Sequence, residues 1–358
     1  MKVLSSILIL LSTLSYAQEI NTITSLSNSI NETSGLIFLN GKLITHNDSG
    51  NEANLYEIDT ITGEISRTVT IENAVNIDWE DITFDENSIY IGDFGNNAGT
   101  RTDLKIYQID ISEYFNNDTV NAEIIDFSYT DQTNFLNQIY AHNFDAEALI
   151  SRGDSLYIFT KNWLDSKSNV YSLSKIPGTY TTIKIDQLET SGLITGADFN
   201  TITNTLILSG YSFLNPFIVH VSEFENAQFS SGTLNKIQLN VDESIQIEGI
   251  CSHQDNQYFL SSEIHTSGAS SLYKLDTQDL AIDNIKPYEL ALSPNPTSNY
   301  LEIKGEEIHN INIYNSSGVL VLQSNKNTIN TSKLKSGLYI VKVHSTSGET
   351  YFQRLIIE

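Results

Sequence analysis

The sequence predicts an all-β chain in two units, and three observations carry that prediction. Short runs of alternating apolar and polar residues sit between clusters of Asn, Gly, Asp and Ser, with few helical patterns. One pattern of strands returns five times at a period near 50 residues. From Leu290 onward the composition shifts and the pattern changes.

The chain opens with Lys2, an apolar run from Val3 to Leu14, then Ser15-Tyr16-Ala17. This is the layout of a secretory signal peptide, residues 1–17, and it is too short to span a membrane. No cysteine follows the cleavage site, so a lipid anchor is not expected. Cys251 is the sole cysteine and cannot form an internal disulfide; a small buried hydrophobe is the reading it invites.

Residues 18–285 hold the repeats. The anchors are Ser34-Gly35-Leu36, Glu80-Asp81-Ile82, Glu147-Ala148-Leu149, Thr195-Gly196-Ala197 and Glu248-Gly249-Ile250, spaced by 46, 67, 48 and 53 residues. After each anchor a second apolar run ends at Asp48, Asp93, Lys161, Gly210 or Glu263. A third element begins LYEID, IYQID, VYSLS or LYKLD, with IVHVS as its degenerate copy. Three or four short strands at this period make the blades of a β-propeller, five by the count of anchors, with six as the alternative. The last unit lacks a fourth strand and an orphan segment, Ile20 to Leu26, precedes the first. That segment is expected to complete the last blade and close the ring, which removes exposed edges.

Closure gives the acids a meaning. The start of a blade's first strand and the end of its second share one face, so Glu80, Glu147 and Glu248 should meet Asp48, Asp93 and Glu263 at one mouth of the channel, with Asp198 nearby. Carboxylates crowded there repel unless a cation or shared proton relieves them. Oxygen donors suit calcium or magnesium better than zinc. The candidate metal set is therefore Asp48, Glu80, Asp93, Glu147, Glu248 and Glu263; the bland reading is polar residues at turns. The candidate catalytic set is His46, His142, His265 and Lys161, each histidine also suited to a purely structural hydrogen-bonding role. Lys161 stands where other repeats place an acid and could neutralise Glu147 and Asp145 or hold an anionic group. Arg101 could reach over the rim, and Trp79 and Trp163 could wall the site or pack between blades. No G-x-S-x-G, H-E-x-x-H or phosphate-loop signature is present. Ser49, in a turn-type Asp-Ser-Gly, lies near His46 in sequence.

The net charge is −25, from 19 basic and 44 acidic residues. Residues 291–358 hold six basic and five acidic side chains, so the acidity belongs to the first unit. Such a surface argues against nucleic acid and anionic lipid as partners.

On its EGI-type anchors and LYxID strands, the propeller resembles secreted propellers of the phytase-like esterase, gluconolactonase-like and SdiA-regulated kind. That resemblance implies a calcium ion at the channel mouth and hydrolysis of an ester, lactone or phosphoester. The alternative is a non-catalytic surface module for an extracellular small molecule, glycan, peptide or protein. A phosphate site would want more basic residues than Lys161 and Arg101.

Residues 286–358 read as a small Ig-like β-sandwich entered through a stiff linker at Pro294 and Pro296, with strands YLEI, INIYN, VLVLQ, GLYIVKV and YFQRLII. Pro294-Asn295-Pro296-Thr297, Ile313-Tyr314 with Gly318, Leu334 with Ser336-Gly337-Leu338-Tyr339, and Arg354-Leu355-Ile356-Ile357 resemble the type A C-terminal sorting domain of the type IX secretion system. The resemblance implies passage through the periplasm, recognition by that machinery and its sortase, and release or attachment at the outer cell surface.

Overall fold

A computed structural model describes residues 18–213, 215–241, 245–254, 256–263, 269–277, 291–304, 308–315, 319–345 and 350–358. The expected signal peptide, the boundary at 285/286, His265 and Gly318 lie outside the described residues. The chain divides into two compact units that part within residues 278–290. No helix among the described residues is long and apolar enough to cross a membrane.

The first unit is a five-bladed propeller, not the alternative six. The inner strands are Thr33–Leu39, Trp79–Phe84, Ala146–Arg152, Leu193–Asn200 and Ile247–Gln254, heading blades I to V. Each packs on the next, and the fifth on the first. Each blade continues as an antiparallel meander to a fourth strand. In blade V that fourth strand is Asn21–Ser25, which pairs with Ser271–Asp276 and closes the ring as the orphan segment required.

Three of the five outer edges are paired by a strand from the next blade, and the other two are hydrogen-bonded to it. Thr119–Val120 and Gly178–Thr182 run parallel to the outer strands of blades I and II, and Gln18–Glu19 to that of blade IV. Ser230 donates to Asp186 on the edge of blade III, and Ser27 N–H donates to Gly63 O beside the edge of blade V. In each case the covering segment lies just before a fourth strand. An edge paired in this way no longer offers its backbone groups to another chain.

The small second residue of the anchors is explained by close approach at the axis. A Cβ on Gly35 would lie 2.6 Å from Ile82 N, and one on Gly196 would lie 2.5 Å from Glu248 O. Blade II breaks the pattern with Asp81, which is wholly buried. Its Oδ1 accepts from Ile82 N–H at 2.8 Å. Its Oδ2 accepts from Leu149 N–H at 2.7 Å and Ala197 N–H at 3.2 Å, on blades III and IV. One carboxylate thus ties three inner strands across the channel. Asp198, expected near the mouth, instead lies along blade IV with its carboxylate held by Ser252 of blade V.

The second unit packs a three-stranded sheet (Ala291–Ser293, Tyr300–Lys304, Thr328–Asn330) on a four-stranded one (Leu320–Ser324, Ile308–Asn315, Gly337–Ser345, Thr350–Ile357). Leu301, Ile303, Ile311, Ile313, Val341 and Leu355 form its core with their neighbours. The prolines are not a linker. Ala291–Ser293 already pairs with Tyr300–Lys304, and between Pro294 and Pro296 Asn295 bonds the last strand through Arg354 O at 2.7 Å and Ile356 N–H at 2.9 Å.

Candidate functional site

All five inner strands carry a β-bulge at the anchor. The register jumps between Thr33 and Leu36, Trp79 and Asp81, Ala146 and Ala148, Ile194 and Gly196, and Ile247 and Gly249. The extra residue is Glu80, Glu147, Thr195 or Glu248, or the pair Ser34-Gly35. A bulge turns one side chain out of the alternation and bends the strand. The hydroxyl anchors use that freedom to staple blades: Ser34 Oγ donates to Glu80 O and Thr195 Oγ1 to Ile247 O. The glutamates use it to line a cavity.

That cavity has a volume of about 280 Å3 and is lined by Ser34, Asp48, Glu80, Asn97, Tyr140, Glu147, Lys161, Trp163, Tyr211, Gln246, Glu248 and Glu263. Counting from the bulge explains its membership. The second-strand partners of the residues before the bulge are Asn47, Asp93, Thr160, Gly210 and Ser262. The next residues are Asp48, Phe94, Lys161, Tyr211 and Glu263, and four of these five line the cavity.

Asp93, expected among the metal ligands, is therefore one residue out of phase with the cavity. It pairs with Trp79 across the hairpin, so it faces Trp79's side rather than the cavity. Arg101 Nη2 lies 2.9 Å from its Oδ1. Arg101 also binds Asp103 and the carbonyl of Gly95, so it braces blade II rather than reaching over the rim. His46, expected among the catalytic residues, is turned away from the cavity by the same alternation. Its neighbour Thr45 faces the channel and donates to Ser34 O and Gly35 O, while His46 is buried against Trp79 with ring centroids 5.6 Å apart. Burial lowers its pKa to about 4, so it is neutral. Ser49 is exposed and Trp79 is core, packed on Tyr107. His142 does not line the cavity either. Its Nδ1 accepts from Phe144 N–H at 3.1 Å and its Nε2–H donates to Asn97 O at 3.2 Å, which uses both nitrogens to fasten one rim loop to another.

Electrostatics divide the lining. Asp48, Asp78 and Glu80 place carboxylate oxygens within 4.8 Å of one another. No ion pair to any of the three is present among the described residues. Burial first, then mutual repulsion, raises Glu80 well above the carboxylate range and Asp78 to about 7; burial, against a bond from Ser49 N–H, raises Asp48 to about 6. Opposite them Lys161 Nζ lies 3.0 Å from Glu147 Oε1 and over the rings of Trp163 and Tyr211. Burial opposes its charge, but the adjoining Glu147 carboxylate outweighs burial and holds it protonated. Gln246 Nε2 bridges Glu248 at 3.0 Å and Glu263 at 3.2 Å, and burial raises Glu248 to about 8. Asp145 holds the wall by accepting from Trp163 Nε1–H at 2.7 Å and Asn96 N–H at 2.6 Å.

Tyr140, Tyr211, Gln246 and Asp78 were not among the expected site residues. Tyr211 had a signal, since it follows Gly210, but the anchor spacing alone does not reveal the bulge. Gly95 shows how tightly the acidic wall is built: a Cβ there would lie 1.9 Å from Glu80 Oε1 and 2.6 Å from Asp78 Oδ2. These are ends of side chains, so Gly95→Ala is expected to fold while forcing the carboxylates apart. Its far-ultraviolet spectrum should match the parent's and any cation response should weaken. An unchanged cation response would show that this wall is not involved.

Residues 291–358 match the family described as the secretion system C-terminal sorting domain. The second unit is thus the sorting domain of the type IX system, and the protein is secreted to the outer cell surface or the extracellular space. No curated protein sequence matches the chain. Among solved structures, the PQQ-bound aldose sugar dehydrogenase of Streptomyces coelicolor is similar at 10% identity and TM-score 0.41, covering 72% of this chain and 97% of that one. A periplasmic gluconolactonase of Pseudomonas aeruginosa is similar at 10% identity and TM-score 0.36, covering 88% and 96%. A GH32 β-fructofuranosidase of Bombyx mori is similar at 10% identity and TM-score 0.39, covering 96% and 87%. Similarity this low says nothing about activity.

Proposed function

Because the chain ends in a type IX sorting domain and acts outside the cell, we propose that its propeller binds a divalent cation, calcium, on the Asp48, Asp78 and Glu80 side of the cavity. With Lys161 opposite, the cavity then receives a small oxygen-rich ligand, an ester, lactone or phosphoester, for hydrolysis. The observation that carries this is the trio of carboxylates whose oxygens lie within 4.8 Å of one another with no ion pair among the described residues. An all-oxygen donor set suits a hard cation. A bound cation would supply Lewis-acid polarisation of a carbonyl or phosphoryl oxygen. Lys161, held protonated, donates to a ligand oxygen. Glu248, with a pKa of about 8, carries a proton at neutral pH that it can give to a leaving oxygen. At about 280 Å3 the cavity stands at the low end of small-molecule pockets, roughly 300–1,000 Å3.

A second reading, a binding module without catalysis, is favoured by one observation. Among the described residues no serine–histidine pair lines the cavity, because Ser34 is committed to Glu80 O and His46 and His142 face elsewhere. Metal analysis of the purified protein and a screen of ester, lactone and phosphoester substrates separate the two.

Calcium at a hundredfold excess over its dissociation constant should add about 2.7 kcal/mol, a rise of roughly 5–10 °C in melting temperature for a domain this large. Glu80→Gln should remove most of that rise. The pH dependence follows from the raised carboxyls. Their folded pKa values, about 6 to 8, exceed the ordinary 3.8 to 4.5, so the folded state holds extra protons and the cation-free protein loses stability as pH rises from about 4 to 8. A cation favours the ionised forms, so its effect on melting should be larger at pH 8 than at pH 5. Equal melting curves with calcium and with chelator at pH 8 would remove the cation site.

A further inference from the structure

The cavity has two unlike sides. Blades I, II and V contribute Ser34, Asp48, Glu80, Glu248 and Glu263, whereas the segments of blades III and IV and the loop before blade III contribute Tyr140, Trp163 and Tyr211 around the Lys161–Glu147 ion pair. Tyr140 and Trp163 pack with ring centroids 4.4 Å apart. Outward from this pair the aromatic side continues as an exposed apolar surface: Leu136 is 73% exposed, Ile139 57%, Leu164 55%, Tyr140 45% and Phe135 41%. Four of these five groups fall within residues 135–140, the segment that also brings Tyr140 to the cavity wall, and Leu164 follows Trp163 directly.

This surface is built rather than incidental. It lies mainly on the segment between blades II and III, where the anchor interval reaches 67 residues against 46 to 53 elsewhere. The segment is fastened by Gln138 N–H to Ala98 O at 2.9 Å, Tyr140 N–H to Asn97 O at 3.1 Å, and Gln132 Nε2–H to Gly99 O at 3.0 Å. Leu164 is fixed through its N–H to Asn143 Oδ1 at 3.0 Å. Tyr140 sits at φ 56°, a left-handed conformation that a tyrosine adopts at a cost and that its surroundings maintain.

We propose that this apolar surface is the second half of the ligand site and takes the alkyl or acyl chain of a small amphiphile whose oxygen-rich head enters the cavity. The inference rests on reading the cavity as a ligand site, and it narrows the ligand to esters or lactones bearing a chain of several carbons. Its support is continuity: Tyr140 and Trp163 belong to both the cavity wall and the exposed surface, so one molecule can contact both.

The test compares γ-butyrolactone with γ-decalactone on the full chain with calcium present. Binding is read by the fluorescence of Trp163; the other tryptophan, Trp79, is fully buried. The longer lactone should bind about tenfold or more tightly, as burial of several methylenes requires. In the double variant Leu136→Ser, Ile139→Ser that ratio should fall towards one. A ratio near one in the parent, or a ratio that survives the double substitution, overturns the inference. A dimer dissolved by the same substitutions, with no chain-length preference, also overturns it and makes the surface a contact between copies. The calcium melting shift, measured on the parent alone, keeps the two readings apart: a shift with a flat ratio sinks only this inference, and a ratio without a shift sinks only the cation.

Discussion

Deleting residues 291–358 is expected to abolish delivery outside the cell and leave a folded propeller in the periplasm. Among the described residues, the sandwich core is built from residues 292–357 and the propeller cores from residues 20–275. Truncation therefore removes no core residue from the ring, whose closure depends on Asn21–Ser25 pairing with Ser271–Asp276. The sorting domain, by contrast, is what the secretion machinery recognises. Fractionation with detection of the propeller should show near-complete loss from the culture medium and cell surface. The melting temperature of the truncated protein should match that of the propeller transition in the full chain. Undiminished delivery of the truncated form would separate secretion from this domain, and failure to fold would show that the two units depend on each other.

Asp81→Ala is expected to be the most damaging single substitution in the ring. It would strip the acceptors from Ile82, Leu149 and Ala197 N–H, three donors on three blades. A buried donor left without a partner costs about 1–3 kcal/mol, so a loss of at least 3 kcal/mol is expected. That is a large part of the roughly 5–15 kcal/mol by which domains are stable. Asp81→Asn keeps the size but turns an amide N–H towards donors, so it should fall between alanine and the parent. Burial raises the pKa of Asp81 well above the carboxylate range, while the three N–H bonds work in the opposite direction. Urea unfolding of the three proteins would measure the series, and an alanine variant within 1 kcal/mol of the parent would show that the inner strands hold together without this clamp.

Blade number, ring closure and the sandwich were legible in the sequence because each is written in local patterns. Alternation marks a strand, turn residues mark its ends, and a recurring interval marks the blade. The orphan segment Ile20 to Leu26 could be assigned because five units left one strand missing. Cavity membership was legible in part. Asp48, Glu80, Glu147, Lys161, Glu248 and Glu263 all line it, since each lies beside a bulge or one residue beyond its partner. Asp93, His46 and His142 do not, and no spacing could have told them apart. A strand shows its two faces alternately, so a single bulged residue exchanges them for everything beyond it. Asp93 then falls on the side of Trp79, and Thr45 rather than His46 faces the channel. The aromatic side depends on still longer distances, because Tyr140, Trp163 and Tyr211 come from three separate segments. The sequence alone determined the recurrence of the blades, the sandwich that follows them and the acidity of one end of the channel. Only the tertiary structure decided which acids face the cavity, because that turns on one extra residue per inner strand and on neighbours brought together by ring closure.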